Sequence, residues 1–63
     1  MTNGPDLRQH RRDSGVTVKH LARAMGIHRA TVHNIERLHL VDDDTVARYL
    51  AAVRDVATKE TEG

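Results

Sequence analysis

The sequence predicts an all-α domain of four to five short helices, and three observations carry that prediction. Apolar residues recur at three- and four-residue steps in several separate stretches. Gly15 and Gly26 stand where helices of ordinary length would stop. Tyr49 is the only aromatic among 63 residues and there is no Cys, so the core must be assembled from Leu, Val, Ile, Met and Ala without a disulfide or thiolate–metal staple. Such a core suits compact helices joined by short turns, because local contacts suffice. The length sets a ceiling of one domain, and a chain this short buries only about 60% of the surface its unfolded form exposes.

Residues 1–4 read as a flexible tail, and the domain is placed over 5–59. Pro5 suits the first turn of a helix, where its missing N–H costs nothing; that helix runs to Ser14, with Gly15 as its stop. Leu7 and the stem of Arg11 share one face, one turn apart. Thr17 is a good N-cap for a second helix, Val18–Met25, in which Leu21 and Met25 form the buried stripe and Gly26 ends the run. His20 stands at the third position of that helix, so a capping box with Glu or Gln is not formed. His28 takes the next N-cap position, and a third helix spans 29–37 with Val32 and Ile35 inward. Arg29, Ala30, His33 and Asn34 share its other side. After a connection over 38–41, Asp42 caps a fourth helix reaching Lys59. Asp43 and Asp44 lie in its first turn, where carboxylates favour the positive helix end. Residues 60–63 are expected to fray.

The net charge of +1 conceals a segregation. Arg8 to Arg37 holds seven positive side chains against Asp13 and Glu36, whereas Leu38 to Gly63 holds three positive against six negative. A basic first half suits a surface that faces phosphates, and an acidic second half should point away from a polyanion. No apolar run approaches the roughly 18 residues of a membrane span. Met1 to Arg12 lacks a signal-peptide hydrophobic stretch, so a soluble, intracellular protein is expected.

The most informative segment is Val18 to Arg37, VKHLARAMGIHRATVHNIER. Two helices crossing steeply through a three- or four-residue turn need a small residue at the crossing, and Ala22 stands there. The turn needs a residue that tolerates positive φ, and Gly26 supplies it. Leu21, Met25, Ile27, Val32 and Ile35 fall where the angle between the helices must be filled. This is the helix-turn-helix pattern, with 18–37 as the motif and 29–37 as the helix that would enter the major groove. The alternative is a plain α-hairpin in a protein-interaction module, against which the basic first half argues.

The segment Leu7 to Val53 resembles the lambda-repressor-like, Cro/C1 (XRE) helix-turn-helix family. The likeness lies in Leu7 and Arg11, the entry Gly15-Val16-Thr17, the pair Leu21-Ala22, Gly26, the run Thr31 to Arg37 and the helix that follows Asp42. It implies a sequence-specific, double-stranded-DNA-binding transcriptional regulator, a repressor of the phage Cro or immunity type, in the cytoplasm of a prokaryotic or phage-infected cell. Activator, excision-factor and antitoxin roles stay open. By resemblance, Arg29, Ala30 and Asn34 occupy base-reading positions, flanked by Thr31 and His33. Arg pairs bidentately with guanine, Asn with adenine, and Ala can touch a thymine methyl. Thr17, Val18, Lys19, His28, Arg37 and His39 fall at phosphate-holding places. Thr17 and Val18 do so at a helix N-terminus whose backbone N–H groups favour an anion. The resemblance also implies that Glu36 pairs with Arg11 as scaffold rather than reading bases. Departures from the family pattern are His10 at a usually aliphatic position, Leu38 where Gly commonly ends the third helix, and Asp43 at a usually apolar position.

Other constellations point nowhere else. No two of the five histidines stand at the i, i+4 spacing that would set both imidazoles on one helical face, so no metal site is expected. His28, His33 and His39 would instead strengthen phosphate attraction below about pH 6.5. No catalytic signature, cofactor loop or small-molecule site is legible, and no enzyme is expected. In the fourth helix the stripe Val46, Tyr49, Leu50, Val53, Val56 and Ala57 is long for a core of this size. Either its second half, Val53, Val56 and Ala57, forms the seam of a homodimer on a pseudo-palindromic operator, or the whole stripe folds back on its own chain.

Overall fold

In the computed structural model four helices pack around one apolar core: α1 (Gly4–Asp13), α2 (Val18–Met25), α3 (Arg29–Arg37) and α4 (Asp43–Glu62). The structure describes residues 2–62, with side chains through Lys59. Among the described residues there is no strand beyond a single bridge, and no helix is long and apolar enough to cross a membrane. Helix α1 packs on α3 and α4, and α2 packs on α3 and α4.

Each boundary has a local cause. Two helices end in the same way. After α1, Gly15 adopts φ +72°, its N–H bonds to the Arg12 carbonyl, and the Val16 N–H bonds to the Arg11 carbonyl at 3.1 Å. After α2, Gly26 adopts φ +69°, and Gly26 and Ile27 donate to the carbonyls of Arg23 and Ala22. These are Schellman stops, which satisfy carbonyls that the helix leaves without partners. Thr17 caps α2 by accepting the His20 N–H, and the His20 ring nitrogen Nδ1 lies 2.8 Å from the same hydroxyl. The ring thus turns back to the cap hydroxyl, a local contact in place of the reciprocal bond that Glu would make. Asp42 caps α4 twice over, accepting the Thr45 N–H at 3.1 Å and the Thr45 hydroxyl at 2.6 Å. Those bonds, the hydroxyl's first, hold its carboxyl below the ordinary range.

The core comprises Leu7, Val16, Leu21, Ala22, Val32, Val41, Tyr49, Ala52, Val53 and Val56, with Val18, Met25, Ile27, Ile35, Val46 and Ala57 packed against it. The placement of Val53, Val56 and Ala57 at a dimer seam is thereby corrected. Val53 is 1% and Val56 8% exposed within one chain, and Ala57 is half-buried against the same cluster. The stripe folds back because α1 packs on α3 and α4 but not on α2, so beyond α3 only α4 can cover α2.

Differences from expectation concentrate at the amino terminus. Thr2 to Gly4, expected in the tail, are held in place. The Val41 N–H donates to the Thr2 carbonyl at 2.8 Å, and the Gly4 N–H donates to the Leu38 carbonyl at 2.7 Å. Asn3 caps α1, accepting the Asp6 N–H at 2.8 Å and donating its amide to the Asp6 carboxylate. Helix α1 therefore starts one residue before Pro5, and its positive end abuts the carbonyl end of α3. That contact also accounts for Leu38. Helix α3 ends by extension of the chain at Leu38, ψ 141°, and the carbonyl there is satisfied by Gly4 rather than by a glycine turn of its own. Met1 lies outside the described residues. The fraying expected over 60–63 falls on Gly63, which lies outside them too, and on residues whose side chains do.

Gly4 is buried against the α3 backbone so closely that nothing larger fits. A Cβ there would stand 2.6 Å from the Glu36 carbonyl carbon and 2.7 Å from its oxygen. At Gly15 the space is open, and only the positive φ resists a side chain. Gly4→Ala should therefore cost about 1–3 kcal/mol through forced backbone displacement. For a domain of this size that lowers the thermal midpoint by about 4–8 °C per kcal/mol, read by circular dichroism. Gly15→Ala should cost about 1–2 kcal/mol from conformation alone and leave the packing of α1 on α3 intact.

Candidate DNA-binding face

Helix α3 has two unlike sides. Val32 is fully buried, Ile35 half-buried and Glu36 5% exposed, whereas Arg29, Ala30, Thr31, His33, Asn34 and Arg37 are all exposed. The 3.6-residue period sets Ala30, His33, Asn34 and Arg37 along one outer ridge with Arg29 at its start. Among the described residues none of these exposed side chains makes a hydrogen bond or an ion pair. They are displayed by a helix whose inner side is fixed.

Two clefts flank the ridge. One, about 450 Å³, lies at the start of α3 and is lined by Lys19, Ala22, Arg23, Ile27, His28 and Arg29. It brings Lys19 and His28 together with Arg29 and adds Arg23. The other, about 270 Å³, lies between α1 and the end of α3 and is lined by Arg8, Arg11, His33, Glu36 and Arg37. Arg8 and Arg23 escaped sequence reasoning because their placement depends on how α1 and α2 pack on α3. Their exposed positions in a basic half were the only available signal. Thr17 is exposed but its hydroxyl is committed to His20, and Val18 is half-buried against the core. What these two can offer an anion is backbone N–H at the start of α2. His39 stands exposed in the α3–α4 connection, outside both clefts.

Beneath the ridge lies a buried polar node. Arg11 of α1 grips Glu36 of α3 with two parallel bonds, Nε to Oε2 at 2.7 Å and a terminal nitrogen to Oε1 at 3.2 Å. Its other terminal nitrogen donates to the Val16 carbonyl at 2.9 Å. Tyr49 of α4 donates its hydroxyl to Glu36 Oε2 at 2.5 Å. The fork geometry suits a planar guanidinium, and no buried side-chain polar atom among the described residues is left without a partner. One carboxylate thus ties three helices together. The hydroxyl of Tyr49 was not foreseen; sequence periodicity marked only its ring. Glu36 in the midst of arginines contributes no net repulsion toward an anion, because Arg11 balances it.

Residues 4–61 match the family model described as a helix-turn-helix domain. The chain belongs to that family. It falls in the XRE/Cro-like group of helix-turn-helix proteins. No curated protein and no solved structure gave a match. As a helix-turn-helix domain it is a DNA-binding unit, with α2 and α3 as its two motif helices and the exposed ridge of α3 as the outer side of the second.

The node makes two measurable demands on this helix-turn-helix domain. Arg11→Ala strands a buried carboxylate and should cost about 3–5 kcal/mol, most of the roughly 3–9 kcal/mol available to a domain of this length. Tyr49→Phe should cost about 1.5–3 kcal/mol, the worth of a hydrogen bond to a charged group. Burial, then the bond to Glu36, pushes the Tyr49 hydroxyl well above its ordinary value. The folded state therefore keeps that proton when the unfolded chain has lost it. This contribution is fully present below about pH 10, the ordinary tyrosine value, and is lost as pH rises toward the folded-state value. Urea unfolding at rising alkaline pH should show falling stability in the wild type and a flatter profile in Tyr49→Phe.

Proposed function

We propose that this protein is a sequence-specific transcriptional repressor that reads the major groove with the exposed ridge of α3. The observation that carries the reading is the division of α3. Its inner side is locked by Val32 and the Arg11–Glu36–Tyr49 node, and its outer side presents Arg29, Ala30, His33 and Asn34, which make no side-chain hydrogen bond or ion pair among the described residues. A ridge held rigidly from behind can place a guanidinium and a carboxamide against base edges at little entropic cost. Arg29 suits a guanine, Asn34 an adenine and Ala30 a thymine methyl, with Thr31 and His33 beside them. Lys19, His28, Arg37 and His39, together with the backbone N–H groups after Thr17, including that of Val18, would hold phosphates on either side. Two copies on a pseudo-palindromic operator would present two such helices about 34 Å apart. Bound over a promoter, the pair would exclude polymerase.

The test is selection of bound fragments from a random duplex library, followed by salt titration on the winning site and on scrambled DNA. The expected outcome is one enriched site preferred by about 10³-fold or more. Arg29→Ala should cost about 1–3 kcal/mol on that site and relax specificity at one base position. Arg37→Ala should weaken binding about equally on all sequences and lower the salt slope by about one. Binding without any enriched sequence would overturn the base-reading roles.

A further inference from the structure

We propose that the outer face of α4 is where a second copy of this chain docks, antiparallel, about a two-fold axis passing between Ala51 and Ala52. This inference rests on the dimeric reading above and gives it a surface, since Val53 and Val56 are spent on the chain's own core.

The inner side of α4 is used up by Tyr49, Ala52, Val53 and Val56. On its outer side Asp44, Arg48, Ala51, Asp55 and Lys59 are exposed. Their steps of four, three, four and four residues keep all five within an arc of about 80°. In chain order the face reads acid, base, alanine, acid, base. Turned end for end, the same face reads base, acid, alanine, base, acid. An antiparallel copy therefore sets Asp44 against Lys59 and Arg48 against Asp55, with Ala51 at the axis, and no like charges meet. A parallel copy would stack every charge on itself. The pattern thus selects both the partner and its direction, as a closed two-fold interface requires.

The ions are poised for a second set of contacts. Arg48 Nε is 3.1 Å from Asp44 and Lys59 Nζ 3.4 Å from Asp55, yet all four side chains keep 61–75% of their surface exposed. Each cation retains donors, and each carboxylate lone pairs, that face outward. Across the axis the eight groups would alternate in sign along one seam, a network rather than isolated surface pairs. Beside it a groove of about 560 Å³ supplies apolar surface, with Ala24, Met25 and Ile27 on one wall and Arg48, Ala51 and Asp55 on the other. Small side chains at Ala24 and Ala51 let the backbones approach. Ile27 stands next to His28, the N-cap of α3, so docking here couples the orientation of α3 to that of its copy. A seam this polar gives weak, salt-sensitive association in free solution, completed when two adjoining half-sites raise the effective concentration.

The test is sedimentation equilibrium of the full chain at about 50 mM and about 500 mM salt, with circular dichroism to verify folding. Wild-type self-association should weaken about tenfold or more at the higher salt. Arg48→Glu and Asp55→Arg should each weaken it about tenfold or more at low salt, because each sets like charges opposite one another. An equimolar mixture of the two variants should restore it, since each then carries the charge the other needs. Ala51→Glu, which keeps all four ions but sets a carboxylate beside its own copy at the axis, should also weaken it. If the wild type dimerises and neither charge reversal matters, the α4 face is wrong while the dimer stands. If the wild type stays monomeric at every concentration and its copies occupy two half-sites independently, both the face and the dimer are overturned. The base-reading roles are judged separately by Arg29→Ala.

Discussion

One buried carboxylate organises this protein. Glu36 sits on the inner side of α3, where water cannot solvate it, and its oxygens are met by Arg11 from α1 and Tyr49 from α4. Charge burial is costly unless every lone pair finds a donor. Here the cost is offset only when three helices arrive in one arrangement. The node therefore specifies geometry more than it adds stability, and the geometry it specifies is the attitude of the helix that displays Arg29, Ala30, His33 and Asn34. The same Arg11 reaches the Val16 carbonyl, so the turn leading into α2 is fixed from the same centre.

The amino terminus completes the fixation from the other end of α3. Gly4 donates to the carbonyl of Leu38, and Thr2 pairs with Val41, where the connection turns back toward α4. The close approach that excludes a Cβ at Gly4 is the consequence of setting the start of α1 on the finish of α3. Held by Arg11 and Tyr49 behind its last turns and by Gly4 at its end, α3 has little freedom to tilt. Such rigidity lets a small domain spend its limited contact area on recognition rather than on ordering itself.

The charges then divide by helix. Basic side chains from α1, α2 and α3 gather in the two clefts beside the α3 ridge, whereas α4 alternates acid and base along its outer face. A surface for a polyanion and a surface for a copy of itself make opposite demands. The first needs one sign, the second needs both signs in an order that reverses onto itself. The basic clefts and the face of mixed sign lie on different helices.

Local chemistry by itself determined much of this protein. Thr17, Gly26 and Asp42 bound their helices because capping and positive φ are decided within a few residues, and α2 and α3 run over the residues that the sequence indicates. Leu21, Ala22 and Val32 are buried as a steep helix crossing requires. The expected helix-turn-helix character follows from that crossing, and the family match agrees with it. The tertiary structure decided what depends on distant partners. Asn3 was read as part of the tail and caps α1 instead, and nothing local indicates that Gly4 will close α3. The apolar stripe of α4 reads as core or as seam, and its length favours the seam. Only the areas left uncovered by α2 and α3 assign Val53 and Val56 to the core. Tyr49 reads as a buried ring, and its hydroxyl acquires a role only because Glu36 lies within reach across the fold. Periodicity and caps are properties of neighbours in sequence; burial of a charge, closure of a helix end and the choice of an exposed face are properties of neighbours in space.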